Sequence, residues 1–119
     1  SVLPLERAGQ LDLVAADHRI DTDVRLVPAP GHTPGHIVVE ITSDNQTAVL
    51  AADLVHHPLQ LRHPQVSVAM CVDPVASAAS RRCILDRYAD TGALFLASHL
   101  AHCGYISRRD TGYALIPGP

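Results

Sequence analysis

A mixed α/β chain, with a mostly antiparallel or mixed sheet covered by one main helix, is predicted by three features of the sequence. Two β-branched runs, Ile37-Val38-Val39-Glu40-Ile41 and Ala48-Val49-Leu50-Ala51, flank the turn-forming Ser43-Asp44-Asn45-Gln46. One long segment opens on Asp73-Pro74, an N-cap followed by proline at the first helical position, and closes on Thr91-Gly92. Short apolar runs on either side of it end in Asp53 and His99, side chains able to bind a metal.

The elements follow in order. Residues 1–10 carry Leu3, Leu5 and Ala8 before a Gly9 stop and read as the tail of a helix or a connector. His18-Arg19-Ile20 and Val24-Arg25-Leu26-Val27 flank Asp21-Thr22-Asp23, which predicts two short strands joined by a turn. The continuous apolarity of the 37–41 and 48–51 runs predicts burial on both faces. Residues 54–72 hold Pro58, Pro64 and little periodicity, so a long surface loop of the kind that often carries function is expected. The helix after Asp73 is expected to turn Val75, Ala79, Ile84 and Tyr88 inward. Leu94-Phe95-Leu96 reads as a buried strand aimed at His99, and Tyr105-Ile106 with Tyr113-Ala114-Leu115 as a closing edge hairpin turning at Asp110-Thr111-Gly112. No internal repeat or low-complexity segment interrupts this order.

Composition excludes several classes of function. The chain has 119 residues and a formal net charge of −3, with nine basic residues, all arginine, and no concentrated basic face. Nucleic-acid binding is therefore not expected. No apolar run approaches a membrane span, and the N-terminus lacks the charged-then-apolar pattern of a signal peptide, so a soluble cytoplasmic protein is expected. Cys71, Cys83 and Cys103 are odd in number, lack C-x-x-C spacing and read as reduced structural thiols. Sequence neighbours point apart, so Cys103 beside His102 is not read as a nucleophile pair.

The run Val27-Pro28-Ala29-Pro30-Gly31-His32-Thr33-Pro34-Gly35-His36 is the most informative segment. Glycine and proline on both sides of His32 pin a tight loop that presents its imidazole. Zinc takes imidazole nitrogen and carboxylate oxygen at about 2.0 to 2.2 Å, and a catalytic site keeps one position open for water. His32, Asp53 and His99 supply those donor types; the competing readings are a loop histidine bonded to backbone, a turn cap and a satisfied strand-end histidine.

Pro-Gly-His-Thr-Pro-Gly-His followed by strand-Asp and strand-His resembles the C-terminal half of the metallo-β-lactamase superfamily, in its lactonase-like and organophosphate-hydrolase-like branch. The resemblance runs from about Asp23 onward, through Asp53-Leu54-Val55-His56-His57-Pro58, the Asp73-Pro74 helix start and the tail from Gly104 to Leu115. It implies half of an αββα sandwich, a hydrolase fold with two zinc ions per intact site. By the same resemblance His32 binds one zinc, Asp53 bridges the two and His99 completes the second. The family's His-x-His-x-Asp-His motif is absent from these 119 residues. The expectation is therefore a single domain, 1–119, that is the C-terminal part of a larger protein, a fragment or truncated form with half a metal site, inactive alone. Oligomerisation with itself or association with the N-terminal half is expected to cover its apolar strands.

For the intact protein the resemblance implies hydrolysis by a hydroxide held between the two zincs, the electrophile being an ester, lactone, thioester or phosphoester. Leu54, Val55, Leu59 and Leu61 make the loop after Asp53 apolar and favour a small-molecule ester or lactone with a hydrophobic arm. His56 stands three residues past Asp53, where some lactonases of the superfamily carry a tyrosine; it is read either as a donor to the developing oxyanion or as an exposed loop histidine. His36 is assigned to orienting the loop by hydrogen bonds, His57 and His63 to the surface or a pocket rim, and His18 and His102 to no role. Two alternatives stand beside the hydrolase: a non-catalytic half-domain acting as an interaction module, and an oxidoreductase or thioesterase branch in which iron can replace zinc.

Overall fold

Two antiparallel blocks joined by one parallel pair build the sheet. The computed structural model describes residues 2–119, so Ser1 of the first predicted segment lies outside the described residues. Strands β1 (Val24–Pro28), β2 (Ile37–Ser43), β3 (Gln46–Leu50), β4 (Leu94–Leu96), β5 (Gly104–Arg108) and β6 (Tyr113–Pro117) lie side by side in sequence order. All neighbours are antiparallel except β3 and β4, which pair in parallel with Val49 opposite Phe95. A parallel pair needs a long crossover. Residues 51–93 supply it, with a 3-10 turn (Ala52–Leu54) and the helices α2 (Leu59–Arg62) and α3 (Pro74–Tyr88); α1 (Val2–Arg7) precedes the sheet and buries nothing.

Local chemistry explains the elements. The β2–β3 hairpin turns on Asp44 and Asn45 at φ 48° and 60°. These two residue types tolerate that left-handed pair at low cost. Asp73 caps α3 by accepting from the backbone N–H of Val75 at 3.0 Å and of Ala76 at 2.9 Å, with Pro74 first in the helix. The helix ends at Tyr88, ahead of the expected Thr91-Gly92 stop.

Several expectations are corrected. His18-Arg19-Ile20 forms only an isolated bridge, Arg19 to Arg25, because Ile20 is exposed and has nothing to pack on. The inner face of α3 is Ser77, Arg81, Ile84, Leu85 and Tyr88, whereas Val75 and Ala79 are exposed. Two polar residues on the buried stripe hid the phase of the helix from an apolar count. Residues 54–72 are not a plain surface loop, since Leu54, Val55, Gln60 and Leu61 are buried and α2 lies within it.

Strand alternation separates the two faces of the sheet. On the α3 side, Val38, Val49 and Phe95 are fully buried, and Tyr88 donates its hydroxyl to Glu40, which Arg25 and Arg87 also contact. Burial first, and then that hydrogen bond, push the Tyr88 phenol well above its ordinary value. The opposite face carries Val39, Leu50, Leu96, Leu94, Tyr105 and Ile116 in register, yet Leu50 is 41% exposed and Ile116 40%. Burial on both faces, as the apolar runs predicted, is therefore realised on one face within this chain. No helix among the described residues is long and apolar enough to cross a membrane.

Asp86 ties α3 to the last hairpin: it accepts from the Tyr113 hydroxyl at 2.7 Å and from Arg108. The Tyr113 hydrogen bond, followed by Arg108, holds its carboxyl below the usual carboxylate range. Native Asp86 thus gives up its proton more readily than unfolded Asp86, so its stabilisation is complete above the unfolded value of about 4 and is lost as the pH falls through the lower native value. In urea titrations the stability gap between wild type and Asp86→Asn should be constant near neutral pH and shrink in acid; a gap that widens in acid contradicts the assignment. Phe95→Ala, at the centre of the buried face, should cost about 3 to 5 kcal/mol in the same titrations.

Candidate metal centre

Three loops meet at one edge of the sheet. Residues 29–36 join β1 to β2, residues 51–53 leave β3, and residues 97–99 leave β4. Because β3 and β4 run in parallel, their exits lie side by side, and two further bonds continue the ladder beyond them: Ala51 N–H to Leu96 O at 2.7 Å and Ser98 N–H to Ala52 O at 3.0 Å. Ala52 holds a φ of 45°. A non-glycine residue in that region costs on the order of 1 kcal/mol or more. The bend leaves Asp53 beside His99.

The His32 loop is seated on the start of α3. Gly31 has φ 133°, and a Cβ there would lie 2.0 Å from the Ser77 nitrogen. Gly31 O accepts from Asp73 N–H at 2.9 Å, His32 O from Val72 N–H at 3.1 Å, and Pro30 O from the Ser80 hydroxyl at 2.7 Å. His36 closes the loop from within through Nδ1 and the Ala29 carbonyl at 3.0 Å. Burial lowers its affinity for a proton.

The side chains converge. His99 Nε2 lies 2.9 Å from Asp53 Oδ1, and His32 Nε2 lies 3.7 Å from Asp53 Oδ2. The His56 ring sits between the two other imidazoles, 4.8 Å from His32 and 4.7 Å from His99, stacked on the latter at 16°. One ligand atom from each of Asp53, His56 and His99 falls within 4.8 Å of the others. His56 Nδ1 is buried without a hydrogen-bond partner among the described residues. Desolvation, then the neighbouring His32 and His99, lower the proton affinity of His56, which keeps a lone pair available. The His32 and His99 imidazole nitrogens on either side of one carboxylate are a donor set that fits zinc.

His32, Asp53 and His99, read from the sequence, thus stand together, and His56 stands with them. Its nearness to the donor set was not visible in the sequence beyond its place three residues after Asp53. His57 instead turns back on its own segment, where Nδ1 accepts from Leu59 N–H at 3.1 Å, and His63 ends α2. Cys71 is buried, Cys83 exposed and Cys103 intermediate, all three as free thiols. Leu54 and Val55 belong to the core rather than to a substrate surface, whereas Leu61, also packed in the core, lines a pocket. That pocket, of about 780 Å³, begins at Leu100, one residue past His99, and is lined also by Pro58, Arg62, Tyr113, Ala114 and Leu115.

No protein-family model matches the sequence, and no curated protein matches it. Solved structures do. A hydrolase named AbOPH, of the β-lactamase superfamily, superposes over 99% of this chain with a TM-score of 0.90 at 23% identity. AidC, described as a dizinc quorum-quenching lactonase and solved with a product, matches over 94% of the chain with a TM-score of 0.84 at 30% identity. This chain folds as part of a metallo-β-lactamase domain. A probable metal-dependent hydrolase from Staphylococcus aureus superposes over 94% of the chain with a TM-score of 0.74 at 18% identity. The chain spans 42%, 39% and 42% of the length of these three proteins.

Gly31→Ala should destabilise the chain by about 2 kcal/mol or more, since the methyl group would meet the α3 backbone. Thermal melting with near-ultraviolet circular dichroism checks this; an unchanged melting temperature would show that the loop does not rest on the helix.

Proposed function

We propose that this chain is the C-terminal part of a zinc-dependent hydrolase that opens an ester or lactone bearing an apolar arm. The observation that carries the reading is the Asp53 carboxylate, with one oxygen 2.9 Å from His99 Nε2 and the other 3.7 Å from His32 Nε2. A carboxylate so placed can serve two metal ions at once, and His32 and His99 would each complete one of them. Zinc held there would polarise the scissile carbonyl and bring the pKa of water toward about 7.

The chain's own groups supply the rest. Asp53 fixes the separation of the two imidazoles by facing both. His56, kept neutral by burial and by its neighbours, has one N–H to give, and we assign that N–H to the oxygen on which negative charge develops. The pocket beyond His99 would receive the apolar arm, and Leu100, Tyr113 and Leu115 would exclude water from it. This substrate class agrees with that of AidC, a lactonase.

A larger protein fits the uncovered face of the sheet. The half-exposed Val39, Leu50 and Leu96 row is what a second layer carrying the His-x-His-x-Asp-His half would bury, and self-association would bury it in that layer's absence. Three free thiols are in keeping with a cytoplasmic location.

In the longer protein, Asp53→Ala and His99→Ala should each lower bound zinc by at least one equivalent, measured by elemental analysis, and abolish lactone turnover. Full metal retention in both defeats the ligand assignment. His56→Phe should keep its zinc and lose about 10²- to 10³-fold in kcat with little change in KM; loss of metal instead would move His56 into the ligand set. The 119-residue chain alone should show no lactone hydrolysis above background, and enzyme-like turnover would overturn the half-site reading.

A further inference from the structure

Arg81 sits on the inner face of α3 with a relative exposure of 0%, and no carboxylate pairs with it among the described residues. A buried cation persists only where its donors are met. Here Nε donates to Leu54 O at 2.8 Å, Nη1 to Pro64 O at 2.7 Å and Val66 O at 2.8 Å, and Nη2 to the Ser77 hydroxyl at 3.0 Å.

Three of these four acceptors lead to the candidate metal centre. Leu54 directly follows Asp53. Val66 O also accepts from Gln60 Nε2 at 2.9 Å, and Gln60 Oε1 accepts from the backbone N–H of His56 at 2.7 Å. Ser77 Oγ also accepts from the Cys71 thiol at 3.4 Å, and that sulfur stands 3.8 Å from His32 Nδ1. One guanidinium therefore braces the backbone beside Asp53, the turn that carries His56, and the rear nitrogen of His32.

We infer that Arg81 is a positioning residue, which sets the mutual placement of His32, Asp53 and His56 through Leu54, Gln60 and the Ser77–Cys71 relay. The geometry demands arginine: three carbonyls and a hydroxyl lie in different directions, and only a planar fork with five donors reaches them together. A lysine would keep the charge and lose the brace. The consequence for metal binding rests on the proposed zinc site; the placement of the imidazoles does not.

The test uses the full chain carrying Arg81→Lys and, separately, Ser77→Ala, which cuts only the relay to His32. Cobalt(II) alone is titrated and followed by its visible absorption, and the imidazole nitrogens are observed by NMR without metal. The expected result is folded Ser77→Ala with displaced His32 nitrogen signals and cobalt affinity lowered about tenfold or more, with a larger loss in Arg81→Lys. Unmoved ring signals and unchanged cobalt affinity in folded variants overturn the inference. If Arg81→Lys does not fold, Ser77→Ala decides alone. If the wild type takes up no cobalt, the zinc reading fails, and the NMR signals still decide the role of Arg81: displaced signals uphold it and unmoved ones overturn it.

Discussion

The parallel ladder between β3 and β4 is the constraint on which the cluster depends. Antiparallel neighbours send their exits to opposite edges of a sheet, and parallel neighbours send them to the same one. With Ala48, Val49 and Leu50 opposite Leu94, Phe95 and Leu96, the residues that follow each strand emerge together, and Asp53 meets His99. The entry to β2 lies at that edge as well, because β2 runs against β3, and so the His32 loop is delivered without any further turn. Shifting the ladder by one residue would reverse every side chain on β4 and expose Phe95. The buried core and the position of the cluster are thus fixed by one register.

Helix α3 is the second support, and it works through polar contacts rather than through its apolar stripe. Its first turn receives Gly31 at a distance no other residue permits, and its second and third turns offer Ser77 and Arg81 to the loops above. Leu85 and Tyr88, further along, fasten the same helix to the sheet. One rigid element therefore sets the sheet-borne Asp53 and the loop-borne His32 in a common frame. Strain at Ala52 is tolerated because both sides of it are held by the extended ladder.

Much of this was legible in the residues. The Asp44-Asn45 turn, the Asp73-Pro74 start and the Leu94–Leu96 strand were readable because each rests on local chemistry: left-handed tolerance, capping and a short apolar run. The convergence of His32, Asp53 and His99 was reachable only through a motif resemblance, since no spacing rule brings residues 32 and 99 together. What could not be read was long-range and polar. Ser77 and Arg81 on the buried stripe look like surface residues in an apolar count, which points Val75 and Ala79 inward where the structure exposes them, while Ile84 and Tyr88 face inward as expected. Gln60 is hidden for the same reason, its side chain being satisfied within its own segment by His56, His57 and Val66, and Leu61 because α2 packs on β6, which is distant in sequence.

The crossover between β3 and β4 also has a kinetic meaning. The β1–β2–β3 and β5–β6 blocks are made of local pairings and can zip as soon as their turns form. The parallel pair must wait until residues 51–93 have been looped back, an entropic cost that precedes any reward. The cluster edge is therefore the part whose formation this topology delays most. An ion captured there grips contacts that are absent at the folding barrier, so it should slow the unfolding limb of a chevron and leave the refolding limb where it was.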